Sequence, residues 1–394
     1  MIGSPQVSPS TSNGVEAANH APDVTPVAGV SARPLPNAPP QWLLRTVQGM
    51  RTWLLRCADA LWPAEMLLAE RIRGIAYGQM LGGVAQLGIA DQLEAGPLSA
   101  RELAQRTGCD EDALHRTLRS LASLDIFAMD AQGRFSNNRL SRPLCSASPS
   151  RMRAFIEYFA SPSNTAAWSD FRATLATGQS AFSRVHGMSV WRWFETHPEE
   201  QETFAQMMMG ITLAMAPMIA SLYPFHELKR LCDVGGGRGT LLSELLVRNP
   251  SLRGVLYDSS GVLASARGLL EQRGVADRVE CVAGSFFDGV PEGCDAYLLK
   301  TVLHDWDDAT CTKILSNVRR VMPPDGRLLL AEFILERNVL DANAAPIDVH
   351  MLVACEQGRE RSRGDFEALL AASGFRLDRV FHSPASALLE AHPV

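Results

Sequence analysis

The sequence predicts a two-part chain: a mainly helical N-terminal half containing a winged helix, then a doubly wound α/β domain. Three observations carry this. Residues 226–390 alternate short apolar strands with helical stretches, the pattern of a parallel sheet covered on both faces. Residues 65–225 show mainly 3.6-residue periodicity. A glycine-rich turn, Gly235-Gly236-Gly237-Arg238-Gly239, stands where the first strand of the α/β part should pass into its first helix.

Taken in order, residues 1–40 are rich in Pro, Ser, Ala and Asn and contain no aromatic residue. Such a segment buries too little to offset its ordering entropy, so a disordered tail is expected. Within 41–64, Leu43, Val47, Met50, Leu54, Ala58 and Leu61 form a helical stripe, with Trp42, Trp53 and Trp62 beside it and Arg45, Arg51 and Arg56 interspersed. Two uses fit an additional amphipathic helix of this kind: packing on the protein or a partner copy, or contact with a membrane surface. Three arginines are a weak electrostatic anchor, which favours packing.

In the third stretch, 65–225, Ser99 with Glu102 three residues on reads as a capping box. Gly108 makes a turn, and Asp110 caps a second helix carrying Leu114, Leu118 and Leu121. A short strand over 125–129 and a Gln132-Gly133 turn complete a winged helix. From Leu98 to Asp125 four arginines face five acids. A surface that reads DNA should be net basic, so protein contact is the better use and no nucleic-acid partner is expected. Trp168, Trp191, Trp193, Phe204 and Met207-Met208-Met209 follow, suited to a core or to an apolar pocket for an aromatic ligand.

In the last stretch, 226–394, strands are expected at 230–234, 253–257, 279–283, 296–299, 327–333 and 375–380, with helices such as 240–248 and 309–321 between them. The net charge of −6 argues against a nucleic-acid coat protein. The eight cysteines show no CxxC spacing, as expected of free thiols in the cytoplasm. No uninterrupted apolar run has the length of a membrane span.

The chemistry begins with Asp233-Val234-Gly235-Gly236-Gly237-Arg238-Gly239-Thr240. A dinucleotide fingerprint needs glycine where Thr240 stands. What remains, an acid followed by three alternate glycines, resembles the first motif of S-adenosylmethionine (SAM)-dependent methyltransferases. Asp258, about 20 residues on at a strand end, suits ribose hydroxyls. His304 follows the fourth strand on the ligand side of such a sheet, where a histidine is well tuned to accept a proton.

Together, "DVGGGRG", "LLKTVLHDWDD" and "GRERS" resemble the SAM-dependent O-methyltransferases of the plant caffeic acid type and their bacterial natural-product counterparts, over roughly residues 70–390. The resemblance implies a winged-helix dimerisation domain, a homodimer, SAM as cofactor, no metal, and a small aromatic or polyketide-like acceptor methylated on a hydroxyl. It implies His304 as general base, with Glu332 and Glu360 positioning it. It places Gly235 and its neighbours, Gly237 among them, with Asp258, Ser285, Phe286, Lys300 and Trp306 at the cofactor, and Met208, in the stretch beginning Phe204, beside the acceptor; Asp233, which leads the glycine turn, is expected at the cofactor, and Trp168 and Phe204 of the aromatic stretch, with Asp305 next to His304, at the acceptor. Two departures stand out: Ser285 where the family usually has Asp, and Ser259-Ser260 where it has Leu-Pro. They leave open a diverged enzyme that binds SAM for a non-methylating reaction. N- or C-methylation and a winged-helix DNA-binding regulator are further alternatives.

Overall fold

A computed structural model describes residues 30–383 and 386–394. The part of the expected tail before residue 30 lies outside this range. Residues 30–40 correct that expectation. They run without helix or strand along two helices of the α/β domain, Thr240–Arg248 and Ala266–Gln272. Glu244 and Arg273, both buried, form an ion pair beneath them. Glu244 accepts from the Leu35 N–H at 3.0 Å, and Arg273 donates to the Ser31 and Arg33 carbonyls at 2.7 and 2.9 Å. Val30 is buried against Met209 and Leu269. The low apolar content of the segment hid this, because the anchors are main-chain atoms held by charges on distant helices.

The stripe at 41–64 does form a helix, Gln41–Ala60, but among the described residues none of its side chains is buried. Trp42, Trp53 and Leu54 are more than half exposed. The first half of the next helix, Ala64–Gln86, likewise exposes Met66, Leu68, Ile72 and Ile75, and only Gly82, Val84 and Ala85 near its end are buried.

The winged helix is built as its residues dictate. Ser99 and Glu102 close a reciprocal capping box on the helix Ala100–Thr107, and Asp110 accepts from the Ala113 N–H at 2.8 Å to cap Glu111–Ala122. Strands β1 (Phe127–Met129) and β2 (Phe135–Asn137) pair antiparallel as the wing. The first strand starts two residues later than expected, because Asp125 adopts a positive φ of 58°. Leu103, Leu114, Leu118, Leu121, Phe127 and Phe135 fill the core of this unit.

The second half is a seven-stranded mixed sheet: β3 (Arg230–Val234), β4 (Arg253–Asp258), β5 (Val279–Ala283), β6 (Ala296–Lys300), β7 (Arg327–Glu332), β8 (Phe375–His382) and β9 (Ala387–Pro393). Its order is β5-β4-β3-β6-β7-β9-β8. The first five strands in that order are parallel; β9 enters antiparallel between β7 and β8. The six expected strands are present, and β9 is the addition. Leu388 and Leu389 point to opposite faces of the sheet, one into each of the two cores that cover it. Strands buried on both faces read as unbroken apolar runs, as in Leu328-Leu329-Leu330-Ala331.

Between the halves runs the helix Pro198–Leu222. By length and composition it is apolar enough to cross a membrane, although polar residues such as Gln206 and Thr212 interrupt its apolar run. Here Met207, Met209, Met215, Ala216, Met218 and Ile219 on it are buried against the rest of the chain.

Candidate active site

The open edge formed by the C-terminal ends of β3, β4, β6 and β7 collects the residues singled out in the sequence. The glycine turn follows β3. Gly235, Gly237 and Gly239 have φ of 68°, 60° and 77°, a region that side chains disfavour. A Cβ on Gly236 would sit 2.7 Å from the Asp233 carboxylate. Asp233 is buried, and its Oδ2 meets no partner among the described residues. Burial pushes its pKa up to about 7, against the attraction of Lys300. Asp258, at the end of β4, accepts from the Gly237 N–H through Oδ2 at 2.9 Å and from the Ser259 N–H through Oδ1 at 2.7 Å. Each oxygen keeps a lone pair, as two ribose hydroxyls require.

Phe286 borders the same turn: a Cβ on Gly235 would lie 3.6 Å from its ring. Ser285 accepts the Phe287 N–H through its hydroxyl at 3.3 Å and the Asp288 N–H through its carbonyl at 2.9 Å, so it shapes the loop that presents Phe286. Trp306 packs 4.9 Å from Phe287 and 6.3 Å from Phe286 on one side, and stacks on Trp191 at 5.9 Å on the other. Lys300 donates to the Thr301 hydroxyl at 2.8 Å; burial lowers its pKa, and Asp233 and Glu332 oppose that. An orphaned carboxylate, a glycine cradle, a ribose-type acid and an aromatic wall together fit an adenosyl cofactor with a charged amino-acid end.

His304 lies in a single 3₁₀ turn after β6, with three carboxylates around its ring. Nδ1 is 2.8 Å from Glu360 Oε1, and Nε2 is 3.4 Å from Asp305 Oδ1. Glu332, fully buried at the end of β7, accepts from the Val302 and Leu303 N–H groups at 3.0 and 2.9 Å. The remaining oxygens, Glu332 Oε2 and Glu360 Oε2, are buried with no partner among the described residues. Burial alone would keep the imidazole neutral, but Asp305, Glu360 and Glu332 outweigh it and push its pKa up to about 10. Burial raises Asp305 to about 6 and Glu332 to about 7, in both cases against the pull of His304. One ligand atom each of His304, Glu332 and Glu360 lies within 4.8 Å of the others, a spacing that would suit a cation. Glu360 Oε1 already holds Nδ1 and Glu332 Oε1 holds two amides, so the imidazolium itself answers the local negative charge.

Arg361 is a structural member of this centre that the sequence left unremarked. Its buried guanidinium donates to the Leu303 and Trp306 carbonyls at 2.7 Å each, either side of His304 and Asp305, and pairs with Asp308. The Arg359 N–H holds the His304 carbonyl at 2.8 Å.

The residues expected to touch an acceptor come together next to this centre. Phe204 and Met208, on the helix Pro198–Leu222, pack in one cluster with Tyr158, Phe194, Trp191, Met351 and Cys355. Phe204 stacks on Phe194 at 4.9 Å, and Trp168 stacks on His350 at 6.3 Å. Cys355 reaches Asp305 at 3.8 Å, joining the cluster to the His304 centre. Tyr158, His350 and Cys355 were not among the expected site residues. Tyr158 and His350 lie 192 positions apart, and no local spacing signals their contact.

Residues 168–376 match the O-methyltransferase domain family, and residues 69–147 match the O-methyltransferase dimerisation domain. The chain belongs to the SAM-dependent O-methyltransferase family. It is 36% identical over 333 residues to a phenazine O-methyltransferase of Lysobacter antibioticus, covering 84% of this chain and 97% of that one. The solved structure of a mitomycin 7-O-methyltransferase superposes with a TM-score of 0.79 at 34% identity, over 86% of this chain and all of the other. A methyltransferase of calicheamicin biosynthesis, solved in its S-adenosylhomocysteine-bound form, gives 0.71 at 34% identity over 84% and 98%. The helix Gln41–Ala60 precedes the matched dimerisation segment.

Proposed function

We propose that this O-methyltransferase acts on a phenolic hydroxyl of a small aromatic metabolite, with His304 as the group that takes the hydroxyl proton. The observation that carries the reading is the buried imidazole fixed at Nδ1 by Glu360, with its other nitrogen beside Asp305, which in turn meets Cys355 of the aromatic cluster. The aromatic natural products named for the relatives above support the acceptor class. The dimerisation segment supports a homodimer as the working form.

SAM supplies an activated methyl group when bound. Asp233, Asp258, Phe286, Lys300 and Trp306, with the glycine turn, would hold it. Because the donor is already activated, the protein's share is alignment and proton management. Glu360 fixes the imidazole tautomer and orientation, as an acid behind a catalytic histidine does. Glu332 pins the turn that carries the ring. With three carboxylates near it, His304 has a basicity close to that of a phenol, whose pKa is about 10. The proton shared between acceptor oxygen and Nε2 is therefore nearly balanced, and imidazolium stabilises the phenolate that attacks. Asp305, at Nε2, gives way to the acceptor oxygen or steadies the proton it releases.

The test is His304→Ala assayed with labelled SAM against a phenol panel, with calorimetric SAM binding in parallel. Turnover falls by about 10²- to 10⁴-fold while SAM affinity is kept. Near-normal turnover removes His304 from the reaction. Mass spectrometry of the product separates O- from N- or C-methylation, and an unmethylated product identifies the diverged alternative.

A further inference from the structure

The aromatic cluster beside His304 holds a second buried imidazole. His350, on the helix Ala344–Ala354, is buried with its ring 4.8 Å from Phe159 and stacked against Trp168 at 14°. Its Nε2 lies 3.2 Å from the Tyr158 hydroxyl. Its Nδ1 is buried and meets no hydrogen-bond partner among the described residues. Buried polar atoms are nearly always paired, because one left unpaired away from water is costly. The orphan atoms of Glu332 and Glu360 belong to the base cluster; that of His350 does not.

The protonation pattern leaves a neutral ring beside a protonated phenol. Burial raises the Tyr158 pKa, so its hydroxyl keeps its proton and can donate it to Nε2. Burial, and then the charge on His304, lowers the His350 pKa to about 4, so the ring is neutral. A neutral imidazole that accepts at Nε2 carries its hydrogen on Nδ1. With the Tyr158 hydroxyl donating to Nε2, the ring presents an N–H donor at Nδ1 between flat apolar rings; with the roles reversed, Nδ1 is an acceptor.

We propose that His350 Nδ1–H recognises a second oxygen on the acceptor, so that the favoured acceptor is an aromatic hydroxyl compound whose ring system also bears a carbonyl or carboxylate oxygen. This rests on the reading that the enzyme takes a phenolic acceptor beside His304, and it names the substrate class. His350 and His304 act as two separate anchors: one holds the carbonyl-type oxygen, the other the reacting hydroxyl. Tyr158 is a positioning residue, because it sets the tautomer of His350.

The test titrates hydroxynaphthalenes, each beside its acetyl- and carboxyl-substituted counterparts, into the protein saturated with S-adenosylhomocysteine. In the unaltered protein at least one oxygen-bearing isomer binds about tenfold or more tightly than its parent, the effect of one good hydrogen bond. His350→Phe keeps the aromatic packing and abolishes that preference while the parents bind as before. His350→Asn, whose amide nitrogen sits near the Nδ1 position, restores part of it and covers the case in which the phenylalanine variant fails to fold. A preference absent from the unaltered protein, or one that survives in both folded variants, overturns the proposal, as does an equal loss for both compounds of a pair. Methyl transfer from labelled SAM is measured on the same compounds. Preference without transfer refutes the proposed reaction and keeps the recognition role; transfer without preference does the reverse.

Discussion

Replacing Asp305 by asparagine removes a negative charge 3.4 Å from His304 Nε2 and keeps the side chain's shape. At that distance, with an effective dielectric constant of about 20, the attraction between carboxylate and imidazolium has an upper bound of about 5 kcal/mol. Shifts caused by one neighbouring opposite charge run to about one to three pH units. The histidine is held at about pKa 10 by its three carboxylates, so at pH 8 only about one ring in a hundred is neutral. Loss of Asp305 destabilises the protonated ring, so the histidine pKa falls and the neutral fraction at pH 8 rises at least about tenfold. The assay is the pH profile of kcat/KM for one naphthol between pH 6 and 10.5 in both proteins. The acceptor's own ionisation is common to both curves and drops out of the comparison. In the variant the rising limb moves to lower pH by about one to three units, and the plateau is lower because the base is weaker. A limb that stays in place, or moves to higher pH, refutes the assignment of His304 as the titrating base.

Two further outcomes follow from the buried charges. Glu244→Ala leaves Arg273, only 2% exposed, without its partner and unfastens residues 31–35; chemical denaturation records a loss of about 3–5 kcal/mol, and residues 30–40 become open to limited proteolysis. Because the folded His304 pKa is about 10 and an unfolded histidine titrates near 6.5, the folded state holds an extra proton between these values. That stabilisation is complete below about pH 6.5 and is lost as pH rises through 10. Denaturation curves at pH 7 and 9.5 show a decline, and His304→Gln makes it smaller; an unchanged difference in the variant assigns the decline to other groups.

The sequence carried most of the α/β half because its signals are local. A strand, a glycine turn and a helix follow one another over 230–248, and the strand ends carry Asp258, His304 and Glu332. Capping residues such as Ser99 and Asp110 were legible for the same reason. Glu360 is 56 residues from His304 and was reached through the family pattern rather than through spacing. The parts that escaped reading depend on distant contacts. Residues 30–40 are ordered by Glu244 and Arg273, more than 200 positions away. The His350–Tyr158 pair joins two helices from different halves. Strand β9 has its register set by β7 and β8, and the side chains of Leu388 and Leu389 alone do not distinguish strand from helix. The charge on His304 is likewise a property of the assembled site, since it depends on three acids meeting one ring.

The insertion of β9 between β7 and β8 also bears on the order in which the enzyme can be completed. Strand β7 ends in Glu332, which pairs in register with Ala387. During synthesis β7 emerges more than fifty residues ahead of that partner, with one flank of its backbone still unsatisfied. The carboxylate that pins the His304 turn therefore rests on an open edge until the last strand docks. The glycine turn, Asp258 and the winged helix all lie on segments synthesised ahead of β9. The edge of β7 that carries Glu332 is closed only by β9, so the turn holding His304 is pinned from a strand that β9 completes.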